Sequence, residues 1–211
     1  LKSKKTAITS SKGTAFTLIS SQFSDLWENI SRGPQIMLQK DVGMVLAKTG
    51  VNRDSLVVDA GGGSGSLCLS LAHVCKHVTV YENNPEHYDI VQKNAALLGI
   101  SNITLKQEDI YKGIAEKNVD AITLDLPEPW QVLEHAVQAL KVGGHLVIYL
   151  PNLLQVKQFV DSAAASTKRT GIAVIETLEL IERKWKIEDK IMRPEFQMLG
   201  HTGFLVFCRK M

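Results

Sequence analysis

The sequence predicts an α/β protein with a mostly parallel, seven-stranded sheet and helices on both faces. Between residues 55 and 165, short β-branched runs alternate with amphipathic segments of helical length, which is typical of a parallel sheet covered on both sides. Several of these runs end at acidic residues, where a sheet of this kind binds its ligands. The last two predicted strands have no helix between them, so we expect an antiparallel C-terminal hairpin at one edge.

Local signals support the individual elements. Pro85 lies in the first turn of a predicted helix and Gly99 follows its last turn, the positions that these two residues favour. Apolar residues recur at helical spacing in the other helical segments. The predicted helices cover residues 22–31, 40–48, 66–74, 85–98, 131–140 and 153–165. The predicted strands cover residues 56–59, 78–81, 103–105, 119–124, 145–150, 173–180 and 203–207.

Length and composition indicate one good-sized domain: 211 residues, 45% hydrophobic and 22% charged. We divide the chain into residues 1–20, either a loose tail or the remnant of a small β module, and a single domain over residues 21–211. The net charge of +2 argues neither for nor against nucleic acid, because binding depends on where the charge lies. Three cysteines form no disulfide framework and favour an intracellular compartment. No segment reaches membrane-spanning length, and no His, Cys or Asp cluster has metal-ligand spacing.

A glycine-rich loop, Asp-Ala-Gly-Gly-Gly-Ser-Gly over residues 59–65, connects the first strand of the regular region to a helix. Glycine there lets the backbone turn sharply and approach a ligand closely. Glu82 ends the next strand, where it can accept hydrogen bonds from a ribose diol. The G-x-G-x-G spacing lacks the wider final gap of the NAD fingerprint, which disfavours a dinucleotide-dependent oxidoreductase.

The second chemical motif is Asp-Leu-Pro-Glu-Pro-Trp over residues 125–130, directly after the strand 119–124. Its two prolines stiffen the turn and leave carbonyl groups free to accept hydrogen bonds. An acidic side chain, free carbonyls and the flat face of Trp130 suit a planar, amino-bearing base. The alternative is a rigid turn from strand to helix in which Asp125 caps the helix that follows.

The glycine loop, opening with an acidic residue, resembles the first motif of the Rossmann-like class I methyltransferases that depend on S-adenosylmethionine. Three further stretches resemble the archaeal and bacterial tRNA adenine-N1 methyltransferases. They are Arg-Gly-Pro-Gln at 32–35 with Lys40-Asp41, the loop at 125–130, and Arg193-Pro194 followed by Gly-His-Thr-Gly-Phe at 200–204. The similarity covers roughly residues 20–211.

The sequence departs from the family pattern in three places. Asp59 and Gly62 replace the usual Glu and Thr of the first motif, and Gln39 stands where the family has Pro. Because Asp can keep the short-range contact, we expect cofactor binding to survive. The N-terminal β module of the family is largely missing from these residues.

The resemblance implies methyl transfer from S-adenosylmethionine to N1 of a T-loop adenine (position 57 or 58) in tRNA, by a cytoplasmic homotetramer without a metal. It implies that Asp125 is the catalytic residue. For the cofactor it implies Gln35, Asp59, Gly61, Gly63, Ser64, Gly65, Ser66, Glu82, Asn83, Asp109, Ile110 and Asp125. For the substrate it implies Tyr111, Pro127, Trp130, Arg193, His201 and Thr202.

Several alternatives stay open at this point. His201 can contact substrate or fix a loop by hydrogen bonds, and Tyr111 and Trp130 can serve as core residues. The stretch 183–186, Arg-Lys-Trp-Lys, is either an RNA-contacting edge or a solvated strand end. Two rival functions are a small-molecule methyltransferase of the corrinoid-pathway type, which does not need the loop at 125–130, and a non-catalytic RNA-binding subunit. The latter would be expected to lose both the glycine loop and Asp125.

Overall fold

The computed structural model describes residues 6–33 and 36–211. Its α-helices are α1 (Phe23–Trp27), α2 (Gln39–Thr49), α3 (Ser66–Val74), α4 (Pro85–Leu98), α5 (Leu133–Ala139) and α6 (Leu153–Thr170). Its strands are β1 (Thr6–Thr9), β2 (Ala15–Leu18), β3 (Leu56–Ala60), β4 (His77–Tyr81), β5 (Ile103–Lys106), β6 (Val119–Leu124), β7 (Leu140–Leu150), β8 (Ile172–Glu179), β9 (Trp185–Glu188), β10 (Ile191–Pro194) and β11 (Phe204–Lys210). Short 3₁₀ turns cover Ile110–Lys112 and Pro129–Val132.

The central sheet has seven strands in the order β5-β4-β3-β6-β7-β11-β8, which confirms the predicted fold class. Strands β3 to β7 are parallel, whereas β11 runs antiparallel between β7 and β8. The chain moves outward from β3 through β4 to β5 and then returns to β6 on the other side of β3. The carboxyl ends of β3 and β6 therefore flank a topological switch point, where open α/β sheets bind ligands.

Helices cover both faces of this sheet, as predicted. One core contains buried residues of α1 to α4, among them Trp27, Val45 and Leu69, packed on one face. The other core contains buried residues of α5 and α6, among them Ala136 and Phe159, packed on the opposite face. This double cover explains why the central strands are apolar along their length rather than alternating.

Some predicted boundaries were wrong. Helix α1 ends at Trp27 rather than near residue 31, and α5 begins at Leu133 after the 3₁₀ turn that contains Pro129. Helix α6 continues to Thr170, where Gly171 ends it with a φ of 67°. Among the described residues, no helix has the length and apolar character needed to cross a membrane.

Two small hairpins stand apart from the central sheet. In β1–β2, which lies within the predicted N-terminal tail or module, every described side chain of β2 is exposed. The hairpin β9–β10 turns at Asp189, whose φ is 47°, and it was not predicted from the sequence. Its mixed charged and apolar residues do not alternate as those of a strand with one buried face do, because both faces are largely exposed.

Candidate active site

A cavity of about 310 Å³ opens at the switch point, between the carboxyl ends of β3 and β6. It is closed on one side by the glycine loop and on the other by the end of β7 and the C-terminal loop that precedes β11. Its lining residues are Met37, Asp59, Gly61, Gly62, Gly63, Ser64, Ser66, Leu67, Glu82, His87, Asp125, Tyr149, Pro151 and Thr202. The cavity thus contains Asp125, the predicted catalytic residue, and Thr202, a predicted substrate residue. It also contains six further residues predicted for the cofactor: Asp59, Gly61, Gly63, Ser64, Ser66 and Glu82.

Gly61 joins the two chemical motifs directly. Its φ is 85°, and a Cβ atom at this position would lie 2.1 Å from the backbone oxygen of Asp125. On the other side of this contact, the Asp125 amide donates a hydrogen bond to the Ala60 carbonyl at 2.9 Å. The sequence predicted that glycine here allows close approach to a ligand. The structure shows that the first constraint on Gly61 is close approach to the loop at 125–130.

Glu82 is fixed by backbone donors on both of its carboxylate oxygens. Oε2 accepts from the Gly63 amide at 3.0 Å, and Oε1 accepts from the Asn84 amide at 2.8 Å. The residue is only 5% exposed, although it lines the cavity. These contacts orient the carboxylate toward the cleft and leave further lone pairs that could accept hydrogen bonds from a ribose diol.

A smaller cavity of about 40 Å³ adjoins the first and shares Gly61 and Glu82 with it. Asp109 accepts a hydrogen bond from the Tyr111 amide at 3.0 Å and so caps the turn that follows β5. The Tyr111 hydroxyl accepts from the Glu128 amide at 3.2 Å, which ties this turn to the loop at 125–130. The remaining lining residues include Asn83, Ile110 and Leu126. The second cavity therefore brings together Asn83, Asp109 and Ile110, three further residues predicted for the cofactor, and Tyr111, which was predicted for the substrate.

Three carboxyl groups face the main cavity: Asp59, Glu82 and Asp125. Burial raises the pKa of Asp59 to about 7; the hydrogen bond from the Thr123 hydroxyl opposes this shift, and the nearby Asp125 and Glu82 charges add to it. Surrounding protein also raises the pKa of Asp125 to about 6 by desolvation. A pKa of about 6 leaves the Asp125 carboxyl mostly ionised at neutral pH. The cavity is thus acidic and suits a cationic ligand.

The opposite wall of the cavity is held by a buried polar cluster. The Lys40 ammonium donates to the Thr202 hydroxyl at 2.6 Å and to the Leu180 carbonyl at 2.8 Å, and it pairs with Asp41 at 2.9 Å. Asp41 is fully buried and also accepts from the Thr202 hydroxyl at 2.9 Å. The Arg-Gly…Lys-Asp segment and the C-terminal signature, far apart in sequence, are therefore bonded to each other behind the site.

Tyr149 is packed beside this cluster and lines the cavity. A Cβ atom at Gly203 would lie 2.5 Å from its ring, so only glycine leaves space for the ring at that position. Burial raises the pKa of Tyr149 to about 12, so the phenol remains protonated throughout the physiological pH range. Tyr149 was missed by the sequence analysis, together with Met37, His87 and Pro151. For Tyr149 and Pro151, the position at the carboxyl end of a predicted strand could have indicated that they line the site. No such signal in the sequence marks Met37 or His87.

Other predicted substrate residues lie outside the main cavity. Trp130 is partly buried against the core formed by α5 and α6, and the Pro127 carbonyl accepts a hydrogen bond from the Gln155 side chain at 3.0 Å. Arg193 lies on the hairpin β9–β10, with its guanidinium 3.7 Å from the centre of the Phe196 ring. His201 binds Glu179 and the Pro151 carbonyl. Gln35, which was predicted for the cofactor, lies outside the described residues.

The cavity chemistry fits S-adenosylmethionine, whose sulfonium and ammonium groups are both cationic. Three carboxyl groups line the main cavity, and no Lys or Arg is among its described lining residues. Across the described part of the chain, no group of three His, Cys, Asp or Glu side chains is placed to hold a metal ion. The residues that would hold the cofactor are the glycine loop, Glu82 and, at the adenine end, Asp109 with its neighbours.

The strand order, the glycine loop and the acid ending the next strand define the class, a Rossmann-like methyltransferase that depends on S-adenosylmethionine. A solved O-methyltransferase from Thermotoga maritima that depends on this cofactor is similar with a TM-score of 0.88, at 28% identity over 98% of this chain and 78% of that one. The tRNA (m1A58) methyltransferase TrmI from Aquifex aeolicus is similar with a TM-score of 0.85, at 25% identity over 98% and 90% of the two chains.

The sequence comparison then shows the family. Residues 15–193 match the family described as tRNA methyltransferase complex GCD14 subunit. The chain is 34% identical to the tRNA (adenine(57)-N(1)/adenine(58)-N(1))-methyltransferase TrmI of Methanocaldococcus jannaschii, over 95% of this chain and 80% of that relative. It is 37% identical to the tRNA (adenine(58)-N(1))-methyltransferase TrmI of Thermus thermophilus, over 73% of this chain and 61% of the length of that relative. The chain belongs to this tRNA methyltransferase family, and the resemblance predicted from the sequence is confirmed.

Proposed function

We propose that this protein transfers a methyl group from S-adenosylmethionine to N1 of an adenine in the T-loop of tRNA, at position 57 or 58. The observation that carries the proposal is the place of Asp125. It follows β6 at the switch point, faces the cavity opposite the glycine loop, and has an ionised carboxyl at neutral pH. The fold alone does not choose the acceptor, since one of the two similar structures is an O-methyltransferase.

The proposed roles follow from the chemistry of adenine. When bound, S-adenosylmethionine supplies the methyl group on a sulfonium, and the adenine N1 lone pair can attack that carbon without a covalent enzyme intermediate. Methylation at N1 leaves the base cationic. The Asp125 carboxylate can accept a hydrogen bond from the exocyclic amino group, stabilise the positive charge as it develops and take the amino proton afterwards. Its position is fixed by the Ala60 and Gly61 contacts, which supports precise alignment of the acceptor.

The rival functions receive less support. A non-catalytic subunit does not need an intact cofactor cavity, yet here the glycine loop, Glu82 and Asp125 meet in one. A small-molecule methyltransferase does not need the loop at 125–130, which here is anchored on both sides, by the Tyr111 hydroxyl and the Gln155 side chain. The adenine target is paired or stacked in folded tRNA and must be flipped out to reach this cavity.

We further propose a homotetramer. This is supported by large apolar side chains exposed on and beside β9–β10, where Ile187 is 72%, Met192 73% and Phe196 87% exposed. Exposed apolar surface of this extent is typical of a protein interface. The exposed hairpin β1–β2 supports the assignment of residues 1–20 to a small β module rather than to a loose tail, with residues 21–211 as the methyltransferase domain. A cytoplasmic location is supported by the tRNA substrate and by three free, buried thiols.

The test is methyl transfer from labelled S-adenosylmethionine to unmodified tRNA, followed by nucleoside analysis. We expect wild type to form 1-methyladenosine, and both Asp125→Ala and Asp125→Asn to lower kcat by about 10²- to 10³-fold while keeping cofactor affinity. Activity should also fall as pH drops through about 6, because protonation removes the Asp125 charge. Asp54→Ala, an exposed aspartate between α2 and β3, is the matched control.

If wild type binds cofactor but forms no 1-methyladenosine, the tRNA substrate is wrong. If product forms and the two Asp125 variants equal wild type, the role of Asp125 is wrong.

A further inference from the structure

His201 lies next to Thr202, which lines the main cavity, and both of its ring nitrogens are bonded to hydrogen-bond acceptors. Nδ1 is 2.6 Å from the Glu179 carboxylate on β8, and Nε2 is 2.8 Å from the Pro151 carbonyl at the end of β7. A carbonyl oxygen can only accept, and an ionised carboxylate can only accept, so each nitrogen must carry a proton. The ring that satisfies both bonds is therefore an imidazolium, and neither nitrogen is left for substrate.

The residues beside His201 connect it to the reacting groups. Pro151 lines the main cavity, and so does Thr202, the next residue after His201. Pro151 is followed by Asn152, which caps α6 by accepting from the Gln155 amide at 3.0 Å. The Gln155 side chain in turn donates to the Pro127 carbonyl, within the loop that carries Asp125. A short path of hydrogen bonds and adjacent residues thus leads from Glu179 through His201 and α6 to the Asp125 loop.

We propose that His201 is a positioning residue: as an imidazolium it joins β8 to the end of β7 and so fixes the start of α6 and the loop that presents Asp125. This inference rests on the proposed function for its kinetic readout, and it names a residue that acts through Pro151 rather than on the tRNA. Loss of one ring proton leaves either Glu179 or the Pro151 carbonyl without its donor, so the connection loosens when His201 becomes neutral.

The charges around the ring set the direction of its pKa. The charged groups that face it are Glu179 on β8, which favours the imidazolium, and Lys40 on α2, which opposes it; β11 contributes the uncharged Phe204 ring at 5.1 Å. The hydrogen bonds to Glu179 and to the Pro151 carbonyl outweigh Lys40 and raise the pKa of His201 above its ordinary value. The positioning effect is therefore complete below the ordinary histidine pKa of 6.5 and is lost as pH rises through the raised pKa.

The kinetic test compares wild type with His201→Gln and Glu179→Gln across pH 6 to 9, with the full chain, S-adenosylmethionine and unmodified tRNA. His201→Gln should lower kcat about tenfold, the size expected for one charge-assisted hydrogen bond, with little change in KM for tRNA or in cofactor affinity. We expect the kcat of wild type to decline at alkaline pH, and His201→Gln should remove this decline. Glu179→Gln should move that decline to lower pH. His77→Gln, at the opposite end of the sheet and bonded to Thr104, is the matched control.

The second measurement needs no catalysis. The ring protons of His201, followed by NMR in wild type and in Glu179→Gln, should titrate above 6.5 in wild type and at a lower pH in the variant. A wild-type titration at or below 6.5 overturns the proposal, as does a His201→Gln enzyme with unchanged kcat and pH profile. A rise in KM at every pH with an unaltered profile also overturns it, because His201 would then be a direct tRNA contact. If tRNA is not methylated at all, the proposed function fails, while the NMR result still decides the state of His201.

Discussion

Two halves of this molecule are built differently. The cofactor half comprises the glycine loop at 59–65 and the ends of β3 to β5, and the acceptor half comprises the end of β7, the loop before β11 and the hairpin β9–β10. In the cofactor half, the functional groups are buried and bonded to nearby groups: Asp59 is 2% and Glu82 5% exposed, and Glu82 accepts from the Gly63 and Asn84 amides. In the acceptor half, the wall of the cavity depends on contacts between distant segments, and the hairpin β9–β10 beyond it exposes large apolar side chains.

The difference follows from what each half binds. A small cofactor can be enclosed by one chain, so its site can be preorganised by short-range bonds at the ends of adjacent strands. A folded tRNA is larger than the domain that methylates it, so the surface that receives it must stay open and extend beyond a single cavity. The acceptor half is therefore the part that we expect to be completed by other subunits and by the tRNA itself.

The largest effect should come from breaking the contact between the two halves. Gly61→Ala places a Cβ atom 2.1 Å from the Asp125 backbone oxygen and forces alanine to adopt a φ of 85°, which residues with a side chain rarely adopt. We expect it to destabilise the fold by more than about 4 kcal/mol, because backbone rather than a movable side chain must shift, and to abolish cofactor binding. Chemical denaturation and calorimetric titration with S-adenosylmethionine measure the two effects.

The control for this substitution is Gly50→Ala. Gly50 also has a positive φ, 62°, but a Cβ atom there would meet nothing within 4 Å. It should cost only about 1–2 kcal/mol, the penalty of the left-handed conformation. Equal losses for the two variants would show that the Gly61 contact with Asp125 contributes nothing beyond backbone conformation.

A smaller effect should come from the buried polar cluster of Lys40, Asp41 and Thr202, which holds the cavity wall opposite the glycine loop. Lys40→Met removes the ammonium that binds Thr202, Leu180 and Asp41, and it leaves the fully buried Asp41 with the Thr202 hydroxyl as its remaining side-chain donor. We expect a loss of about 3 kcal/mol in urea unfolding, since breaking a buried pair leaves an uncompensated charge. The double variant Lys40→Met with Asp41→Leu should recover part of that loss. A double variant no more stable than the single one would contradict this explanation.

The smallest effect on the fold should come from the hairpin beyond the cavity. Ile187 and Met192 are cross-strand partners and both are more than 70% exposed. Ile187→Glu with Met192→Lys should leave cofactor affinity unchanged and alter the stability of the isolated subunit by no more than about 0.5 kcal/mol. By light scattering, the proposed tetramer should separate into smaller species.

Leu97→Lys, on the exposed face of α4, supplies the control for this pair. If the hairpin variant keeps the wild-type mass, these side chains do not form the subunit interface. A change of mass in the Leu97 variant as well would point to a general effect of added charge.

The sequence alone determined where the central strands end and which two loops follow β3 and β6, and it predicted that Asp125 lies at the ligand site, where the structure places it in the cavity. These are local properties: the apolar runs 56–58 and 119–124 are typical of buried strands, and the acidic residues at their carboxyl ends, Asp59 in β3 and Asp125 directly after β6, lie at the switch point once the sheet is parallel. The departures from the family pattern at Asp59 and Gly62 did not alter this result, since both residues line the cavity.

Only the tertiary structure decided which residues form the cavity wall opposite the glycine loop. Lys40 and Thr202 are separated by 162 positions, and no local pattern in either segment indicates that they bond to each other. The same holds for Tyr149 against Gly203 and for His201 between Glu179 and Pro151. Periodicity and turn residues report the conformation of a few neighbouring residues. Which distant side chains meet depends on the path of β7, β8 and β11 through the sheet, and that path is set by the packing of the whole domain.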